Sequence, residues 1–250
     1  MKPCILTLMD VLGSSELFMS DNDAEKERYL RNLQNMFLTA GKYYPSDQIK
    51  TFSDNILIHD SDDDSRLSKM VNSIAQMQYQ SVCNLGLMIR GAIASGGLYR
   101  SNNELDFDDF TIGDGLVSAY RLESEIANYP MIVVQQQLSE RFLNGDGDDA
   151  LLIKQGNFYY VDYLQVTITD EFPDESKIMA HRKALINHVL KNNNKKDVGK
   201  WDRVRAKDVW CLSYHNQFCA RNEVEEYEIN FTEAINEERA RIEIKIKESD

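Results

Sequence analysis

The sequence predicts an α+β domain followed by a helical C-terminal region. Three observations favour this class. Short apolar segments alternate with helical periodicity as far as residue 171, their order is β-α-β-β-α-β-α-β, and the composition changes near residue 172. This order is that of a split βαβ core related to the ferredoxin-like arrangement. We therefore expect a first domain over residues 1–171 and a helical appendage with a charged tail over residues 172–250.

Length, charge and cysteine content limit the functional classes. A chain of 250 residues can bury one substantial core, and no stretch approaches the roughly 18 consecutive apolar residues of a membrane helix. The four cysteines show no metal-finger spacing and no secretory pattern precedes the first strand, so we expect reduced thiols in a cytoplasmic protein. The net charge of −13 argues against nucleic-acid binding. A nucleotide substrate remains compatible with this charge if divalent cations lie between protein and phosphate.

The first half of the predicted domain contains a strand, a helix and a hairpin. Cys4–Asp10 is a short apolar strand, and residues 24–41 have helical periodicity with Asp21 or Asp23 as N-cap. A hairpin over residues 47–60 follows. The stripe that we expect this helix to bury consists of Leu30, Leu33, Phe37 and Ala40.

The later elements continue the alternation. A second helix over residues 66–85 has Leu67 and Met70 in its apolar stripe, and the glycines in the strand over residues 87–100 permit close backbone approach. The remaining predicted elements are a glycine-opened helix ending before Pro130, a strand over 131–134, a helix over 135–143, a hairpin over 150–164, and helices over 174–192 and 200–220.

Two acidic residues stand at the ends of apolar strands. Asp10 ends the first strand in "ILTLMDVLGSS", and Asp54 lies at the hairpin tip in "IKTFSDNILI". Neighbouring carboxylates repel each other, and a bound cation or full solvent exposure keeps both ionised. Two Mg²⁺ or Mn²⁺ ions bridged by two aspartates activate a hydroxyl and steady a triphosphate. The alternative is that Asp10 caps the next helix and Asp54 is only a turn residue.

The segment that follows Asp10 suits phosphate binding. Gly13 and Ser14 lie between a predicted strand and a helix, where backbone N–H groups can donate hydrogen bonds to phosphate oxygens. The four histidines, by contrast, show no ligand spacing, and we predict no role for them in metal binding.

Five segments carry a family resemblance. They are "LMDVLGSSELF", "IKTFSDNILI", "MIRGAIASGGLY", "GDGLVSAYRLESEIANYPMIVV" and "WCLSYHNQF". In this order they resemble the Pycsar pyrimidine cyclases, bacterial anti-phage enzymes with the class III nucleotidyl cyclase fold, over roughly residues 4–220. The resemblance implies a class III cyclase palm and a homodimer with active sites at the subunit interface. It also implies conversion of UTP or CTP to the 3′,5′-cyclic monophosphate with release of pyrophosphate. By matching position, Asp10 and Asp54 would hold two Mn²⁺ or Mg²⁺ ions, assisted by the backbone carbonyl of Val11.

The resemblance also identifies base-reading positions that depart from purine cyclases. Gln48 stands where adenylyl cyclases have an adenine-reading lysine, and the partner position falls at Phe110 or Thr111. An amide opposite an aromatic or small polar group does not reproduce the purine-specific pair and favours a pyrimidine. Because Gln48 can both donate and accept, it does not separate uracil from cytosine, and the preference for UTP rests on its frequency in the family. The alternative for Gln48 is a surface strand residue.

Three basic residues and one substitution complete the comparison with the family. Arg121 falls at the transition-state arginine, where it would stabilise charge on the α-phosphate across the interface; otherwise it is a solvated helix residue. Arg90 would hold phosphate or, as we favour, pair with an acidic neighbour. Lys154 resembles the triphosphate-contacting lysine. Val117 replaces the ribose-orienting asparagine, so a catalytically inactive nucleotide-binding or regulatory protein is the alternative function.

Overall fold

The chain forms two compact units, described here from a computed structural model. The first unit comprises residues 1–81 and 87–165, and the second comprises residues 82–86 and those from 166 onward. The division of the chain after residue 171 stays a prediction. The residues that the structure describes are 1–19, 21–100, 111–145, 147–193, 201–230 and 232.

Within the described residues, the first unit contains one mixed sheet of eight strands. The strands are β1 (Lys2–Val11), β2 (Ile49–Phe52), β3 (Asn55–Ser61), β4 (Ile89–Arg100), β5 (Thr111–Ile112), β6 (Ile132–Val134), β7 (Leu152–Gln155) and β8 (Phe158–Val161). Their order is β2-β3-β1-β4-β6-β8-β7, with β5 paired to β4. β1 is antiparallel to β3 and β4, whereas β4 and β6 are parallel. The order β2-β3-β1-β4 is that of a ferredoxin-like βαββαβ core, so the predicted α+β class is confirmed.

Helices account for most of the remaining described residues. They are α1 (Ser14–Phe18), α2 (Asp23–Tyr43), α3 (Asp64–Gln80), α4 (Asp114–Glu125) and α5 (Gln136–Leu143) in the first unit, and α6 (Glu175–Asn193) and α7 (Trp201–Arg221) in the second. A π-helical turn covers Ser81–Leu85, and a two-stranded ribbon of β9 (Ile168–Thr169) and β10 (Phe172–Pro173) precedes α6. The predicted helices are confirmed, and the structure adds α1. None of the described helices combines the length and apolar character needed to cross a bilayer.

The prediction of the buried stripe of α2 is wrong by one position at two of its four residues, Leu30 and Phe37. The residues that α2 buries are Tyr29, Leu33, Met36 and Ala40. Leu30 is 44% exposed, and Phe37 is only half-buried. The reason lies in α1, since the Phe18 ring packs edge-on against Tyr29 with ring centroids 5.6 Å apart. This aromatic contact covers the tyrosine and leaves Leu30 facing solvent.

The ends of α2 also differ from the prediction. The N-cap is Asn22, whose side-chain oxygen accepts a hydrogen bond from the Glu25 N–H at 3.1 Å. The aspartates on either side of it do not occupy the cap position. The helix continues past Gly41 to Tyr43, because glycine weakens a helix without being obliged to end it.

β1 is the centre of the first unit, and residues 4–9 of this strand are buried. Its alternate side chains Cys4, Leu6 and Leu8 share one apolar cluster with Ala119 of α4. The predicted close approach at the glycines of β4 is confirmed at Gly91. A Cβ atom there would collide with the carbonyl oxygen of Leu8 on the neighbouring strand. The glycine therefore lets β4 and β1 pair at normal spacing.

The second unit buries a pair of histidines between its two helices. His181 of α6 and His215 of α7 are both fully buried, and their Nδ1 atoms lie 3.0 Å apart. The Nε2 atom of His215 lies 3.0 Å from the carbonyl oxygen of Tyr227, which can only accept a hydrogen bond. Neutral His215 therefore carries its proton on Nε2, and its Nδ1 accepts the hydrogen bond that His181 donates.

Asn216, the residue after His215, holds the segment that follows α7. The Asn216 side chain accepts a hydrogen bond from the Ile229 N–H at 2.8 Å and donates one to the Ile229 carbonyl at 3.1 Å. Together with the contact between His215 and Tyr227, this pairing fastens residues 227–229 to the helix. The "YHN" stretch of the sequence thus has a structural role within the second unit.

We predict that the second unit loses stability as the pH falls below about 6.5. Burial lowers the pKa of His215 to about 4 and that of His181 well below its ordinary value, so the unfolded chain binds protons that the folded chain excludes. The stability is present above the unfolded pKa of about 6.5 and is lost as the pH falls toward 4, by about 2 kcal/mol for His215 between about pH 7 and pH 5.

Urea unfolding followed by tryptophan fluorescence reports on this unit alone, since both tryptophans of the chain, Trp201 and Trp210, belong to α7. His215→Gln should flatten the pH dependence. His188→Gln, a change on α6 at a partly exposed histidine, should not flatten it. Equal pH dependence in wild type and His215→Gln would contradict the prediction.

Candidate functional site

The carboxylates of Asp10 and Asp54 come together at one end of the sheet, which we call the carboxylate end. Asp10 lies near the end of β1, directly opposite Asn55 of β3, and Asp54 is the residue before Asn55 in the hairpin turn. Ser53 in that turn has φ of +57°, a left-handed conformation that turns the chain tightly between β2 and β3. Both side chains are partly buried. The sequence prediction that these acidic residues are neighbours therefore agrees with the strand register.

The turn after β1 brings a hydroxyl to the second carboxylate. Ser14 begins α1 and is buried, and its hydroxyl donates a hydrogen bond to Oδ2 of Asp54. Gly13 precedes it with φ of +86°, a conformation that favours glycine, and this lets the chain reverse from β1 into α1. Val11 is buried at the end of β1. Residues 10–14 and Asp54 are therefore neighbours at this end of the sheet.

Arg90 joins the first carboxylate to a buried acid that the sequence analysis did not identify. Its Nε donates a hydrogen bond to Oδ2 of Asp10 at 3.2 Å and also lies 2.7 Å from Oε1 of Glu123 on α4. Burial raises the pKa of Glu123, and the charge of Arg90 opposes this shift. Arg90 therefore pairs with acidic neighbours, which is the role that we favour for it from the sequence. A signal for Glu123 exists in the sequence, since it continues the buried stripe of Gly115 and Ala119 at four-residue spacing.

Tyr29 of α2 is the second residue that sequence analysis missed. Burial raises the pKa of Tyr29 to about 12, the charges of Asp54 and Asp10 add to the rise, and the nearby Ser14 hydroxyl opposes it. The phenol is therefore a neutral hydrogen-bond donor beside both carboxylates. The sequence did not point to Tyr29, because the predicted buried stripe of α2 began at the next residue, Leu30.

Gln48 lies at the opposite end of the hairpin from Asp54. It ends a 3₁₀ turn before β2, is half-buried, and donates a hydrogen bond from Nε2 to Oδ1 of Asp60 at 3.3 Å. Its Oε1 is buried without a hydrogen-bond partner among the described residues. Asp60 pairs with Ile5 of β1, which puts Gln48 roughly 16 Å along the strands from Asp10 at about 3.3 Å per residue.

The second base-reading position lies toward the same end of the sheet as Gln48, which we call the amide end. Thr111 of β5 pairs with Arg100 at the end of β4, where β4 runs beside the start of β1. The Thr111 hydroxyl is buried without a hydrogen-bond partner in the described ranges. Phe110, the other candidate for this position, lies outside the described residues.

Two basic candidates are exposed. Arg121 lies on the exposed face of α4 near the similarly exposed Val117 and Tyr120. Lys154 is exposed on β7, the edge strand furthest from β2, with its Nζ 5.7 Å from the ring centre of Tyr159. The chain therefore gathers Asp10, Ser14, Asp54 and Arg90 at one end of the sheet and holds Gln48 and Thr111 toward the other.

The comparisons with known proteins concern the fold. No protein-family model matches the sequence, and no curated protein is similar to it. Among solved structures, the chain is similar to the adenylyl cyclase CyaB from P. aeruginosa, with 16% identity, a TM-score of 0.49 and coverage of 64% of this chain and 93% of that one. It is also similar to the guanylate cyclase domain of RhGC from Catenaria anguillulae in complex with GTP, with 13% identity, a TM-score of 0.47 and coverage of 64% and 96%.

We predict that Glu123→Gln lowers the free energy of unfolding by about 1–3 kcal/mol, because a charged partner of the half-buried Arg90 is lost. Glu125→Gln, the same change at an exposed position of α4, should change the free energy of unfolding by less than about 0.5 kcal/mol. Urea unfolding followed by far-ultraviolet circular dichroism measures both values. If the two variants were equally stable, the ion pair would have no role in holding α4 to the sheet.

Proposed function

We propose that this protein is a nucleotidyl cyclase that converts UTP or CTP to the 3′,5′-cyclic monophosphate and pyrophosphate. The observation that carries the proposal is that Asp10 and Asp54 lie together at the carboxylate end. The Ser14 hydroxyl donates a hydrogen bond to Asp54 there, and Arg90 donates one to Asp10. Two acidic residues from distant parts of the chain lie at the same end of the sheet there, and a divalent cation would compensate the repulsion between their carboxylates.

The residues of the carboxylate end suit a divalent cation with oxygen ligands. Within the described ranges, no three His, Cys, Asp or Glu side chains gather as a metal-binding group. Asp10 and Asp54 would hold two Mn²⁺ or Mg²⁺ ions with the carbonyl of Val11, and water or substrate oxygens would complete the ligand set. When bound, such ions lower the pKa of the ribose 3′-hydroxyl and neutralise the departing pyrophosphate.

The protein's own groups orient this site and the triphosphate. Ser14 fixes the Asp54 carboxylate through its hydroxyl, and Arg90 fixes that of Asp10. The contact between Glu123 and Arg90 balances the guanidinium charge, which leaves the negative charge of Asp10 available to a cation. The backbone N–H groups of Gly13 and Ser14 would donate to phosphate oxygens.

A second copy of the chain would complete the site. The base of a nucleotide is attached to the ribose that reacts, so base-reading residues must lie close to the metal ions. Within one subunit the amide and carboxylate ends are roughly 16 Å apart. A twofold axis brings the amide end of one copy to the carboxylate end of the other and forms two equivalent sites. The exposed side chains of Val117 and Tyr120, 48% and 61% accessible, offer an apolar surface for this contact.

The remaining basic candidates fit the same homodimer. Arg121 shares the exposed face of α4 with Val117 and Tyr120, so a partner seated on that face would receive its guanidinium. It would stabilise charge on the α-phosphate of the neighbouring site. Lys154, exposed on the edge strand β7, would contact the triphosphate. In this proposal both side chains act on a nucleotide bound to the other subunit.

Pyrimidine specificity would depend on Gln48 and its partner positions. Asp60 accepts a hydrogen bond from the Gln48 amide, which leaves the buried Oε1 to accept one from the base. Both uracil N3–H and cytosine N4–H can donate to it. Thr111 or Phe110 would face the other side of the base. The resemblance to the Pycsar enzymes extends the proposal to a second messenger made in the cytoplasm during anti-phage defence.

The alternative is a nucleotide-binding protein of the same fold without catalytic activity. The observation that favours it is Val117, which stands in place of the ribose-orienting asparagine and has an exposed apolar side chain. Incubation of the purified protein with each of the four ribonucleoside triphosphates and Mn²⁺ separates the two functions. A cyclic pyrimidine product supports the enzyme, absence of turnover supports the binding protein, and a cyclic purine product contradicts the specificity.

We predict that Asp54→Asn reduces the rate of cyclisation by at least about 100-fold and leaves the fold and the dimer intact. Asparagine can still accept the hydrogen bond from Ser14 but loses the charge that would hold a cation. Asp21→Asn removes the same charge at an exposed position of the first unit and should retain wild-type activity. The assignment of Asp54 fails if its variant cyclises nucleotide as fast as this control does.

We predict that Gln48→Ala reduces the preference for pyrimidine over purine triphosphates by about tenfold in kcat/KM, because the amide no longer reads the base. Gln155→Ala, which removes an exposed amide from β7 of the same sheet, should keep the wild-type ratio. The ratio is obtained from competition between UTP and ATP. An unchanged ratio in Gln48→Ala would mean that another residue selects the base.

A further inference from the structure

The Tyr29 hydroxyl is a buried donor that the roles described so far leave unused. The side chain is 8% exposed, and within the described part of the chain its hydroxyl has no hydrogen-bond partner. An unpaired buried hydroxyl reduces stability unless something bound to the protein satisfies it. The unpaired group therefore calls for an acceptor that the folded chain alone does not supply.

The surroundings of this hydroxyl identify the kind of acceptor. Tyr29 packs against Phe18 of α1, the helix that begins at Ser14, and the Ser14 hydroxyl donates a hydrogen bond to Asp54. Tyr29 therefore lies next to the carboxylate end, and the charges of Asp54 and Asp10 act on its hydroxyl. Ser14 donates its only proton to Asp54, and although its oxygen could accept one, that oxygen is not in hydrogen-bonding geometry with the tyrosine hydroxyl. The edge-on contact with Phe18 holds the ring in place. A ligand bound between the carboxylates would thus lie next to a fixed and neutral hydrogen-bond donor.

We propose that Tyr29 is a positioning residue of the metal site, whose hydroxyl donates a hydrogen bond to an oxygen in the ligand shell of the cation held by Asp54. A water molecule or a phosphate oxygen bound to the cation provides that acceptor. Such a hydrogen bond raises metal affinity by fixing an oxygen ligand, as outer-shell partners do at other metal sites. This inference rests on the metal site of the proposed function.

A pair of tyrosine variants tests the inference. Tyr29→Phe removes only the hydroxyl, and Tyr44→Phe makes the same change at a buried tyrosine of the same unit, whose hydroxyl lies 2.6 Å from the Ser73 hydroxyl. Binding of manganese(II) chloride alone to the full chain is measured from the electron paramagnetic resonance signal of free Mn²⁺. The melting temperature of each protein is recorded with and without Mn²⁺, since a bound ion raises it.

The two variants should behave in opposite ways. Tyr29→Phe should bind Mn²⁺ on the order of tenfold more weakly, with a smaller Mn²⁺-induced rise in melting temperature. Its metal-free melting temperature should be equal to or above that of wild type, because an unpaired buried hydroxyl is removed. Tyr44→Phe should lower the metal-free melting temperature and bind Mn²⁺ as wild type does.

Two results would overturn the inference, and they differ in what else they overturn. If Tyr29→Phe bound Mn²⁺ as tightly as wild type, Tyr29 would have no role at the metal, while the proposed function would stand. If wild type bound no Mn²⁺ more tightly than Asp54→Asn does, the metal site itself would be absent. The proposed function would then fail together with the inference.

Discussion

The antiparallel register between β1 and β3 is the constraint on which the candidate site depends. It sets Asp10 opposite Asn55 and thereby brings Asp54 to the end of β1. A shift of one residue would turn every side chain of β1 to the opposite face of the sheet. Residues 4–9 of β1 are buried, and the absence of a side chain at Gly91 lets β4 approach the Leu8 backbone on the other side of the strand. The apolar core therefore positions two acidic residues, Asp10 and Asp54, that are not part of the core.

The carboxylate end combines negative charge with internal compensation. Arg90 lies between Asp10 and Glu123, so one positive group serves two acids, and Asp54 has a hydroxyl as its partner. The side chains of Asp10, Asp54, Glu123 and Arg90 together leave an excess of negative charge. Partial burial makes this excess costly in the absence of a counter-ion. In the proposed metal site, a divalent cation would balance this excess.

Sequence reasoning predicted the elements well where periodicity and strand order were strong, and it failed where a long-range contact decided the outcome. The ferredoxin-like core, the hairpin around Asp54 and the helices of the second unit follow from local patterns. The buried face of α2 does not, because Phe18, on a short helix that the pattern did not predict, covers Tyr29. The buried pair of His181 and His215 likewise depends on how two successive helices, α6 and α7, pack against each other.

The same distinction holds for the site. Asp10 and Asp54 could be identified from the sequence because each is an acidic residue at the end of an apolar strand. Glu123 sits in a helix with many polar residues, and only the spacing from Gly115 and Ala119 indicates its buried face. The roles of Gln48, Thr111, Arg121 and Lys154 stay predictions, because the first two lie toward the other end of the sheet and the last two are exposed side chains.

The distance between the amide end and the carboxylate end has a consequence for how the activity would depend on abundance. If neither end is sufficient alone, a dilute subunit is silent, and turnover begins only when two copies meet. At concentrations below the dissociation constant of the pair, total output grows with the square of the amount of protein made. A modest rise in synthesis would then produce a disproportionate rise in signal, with no allosteric ligand required.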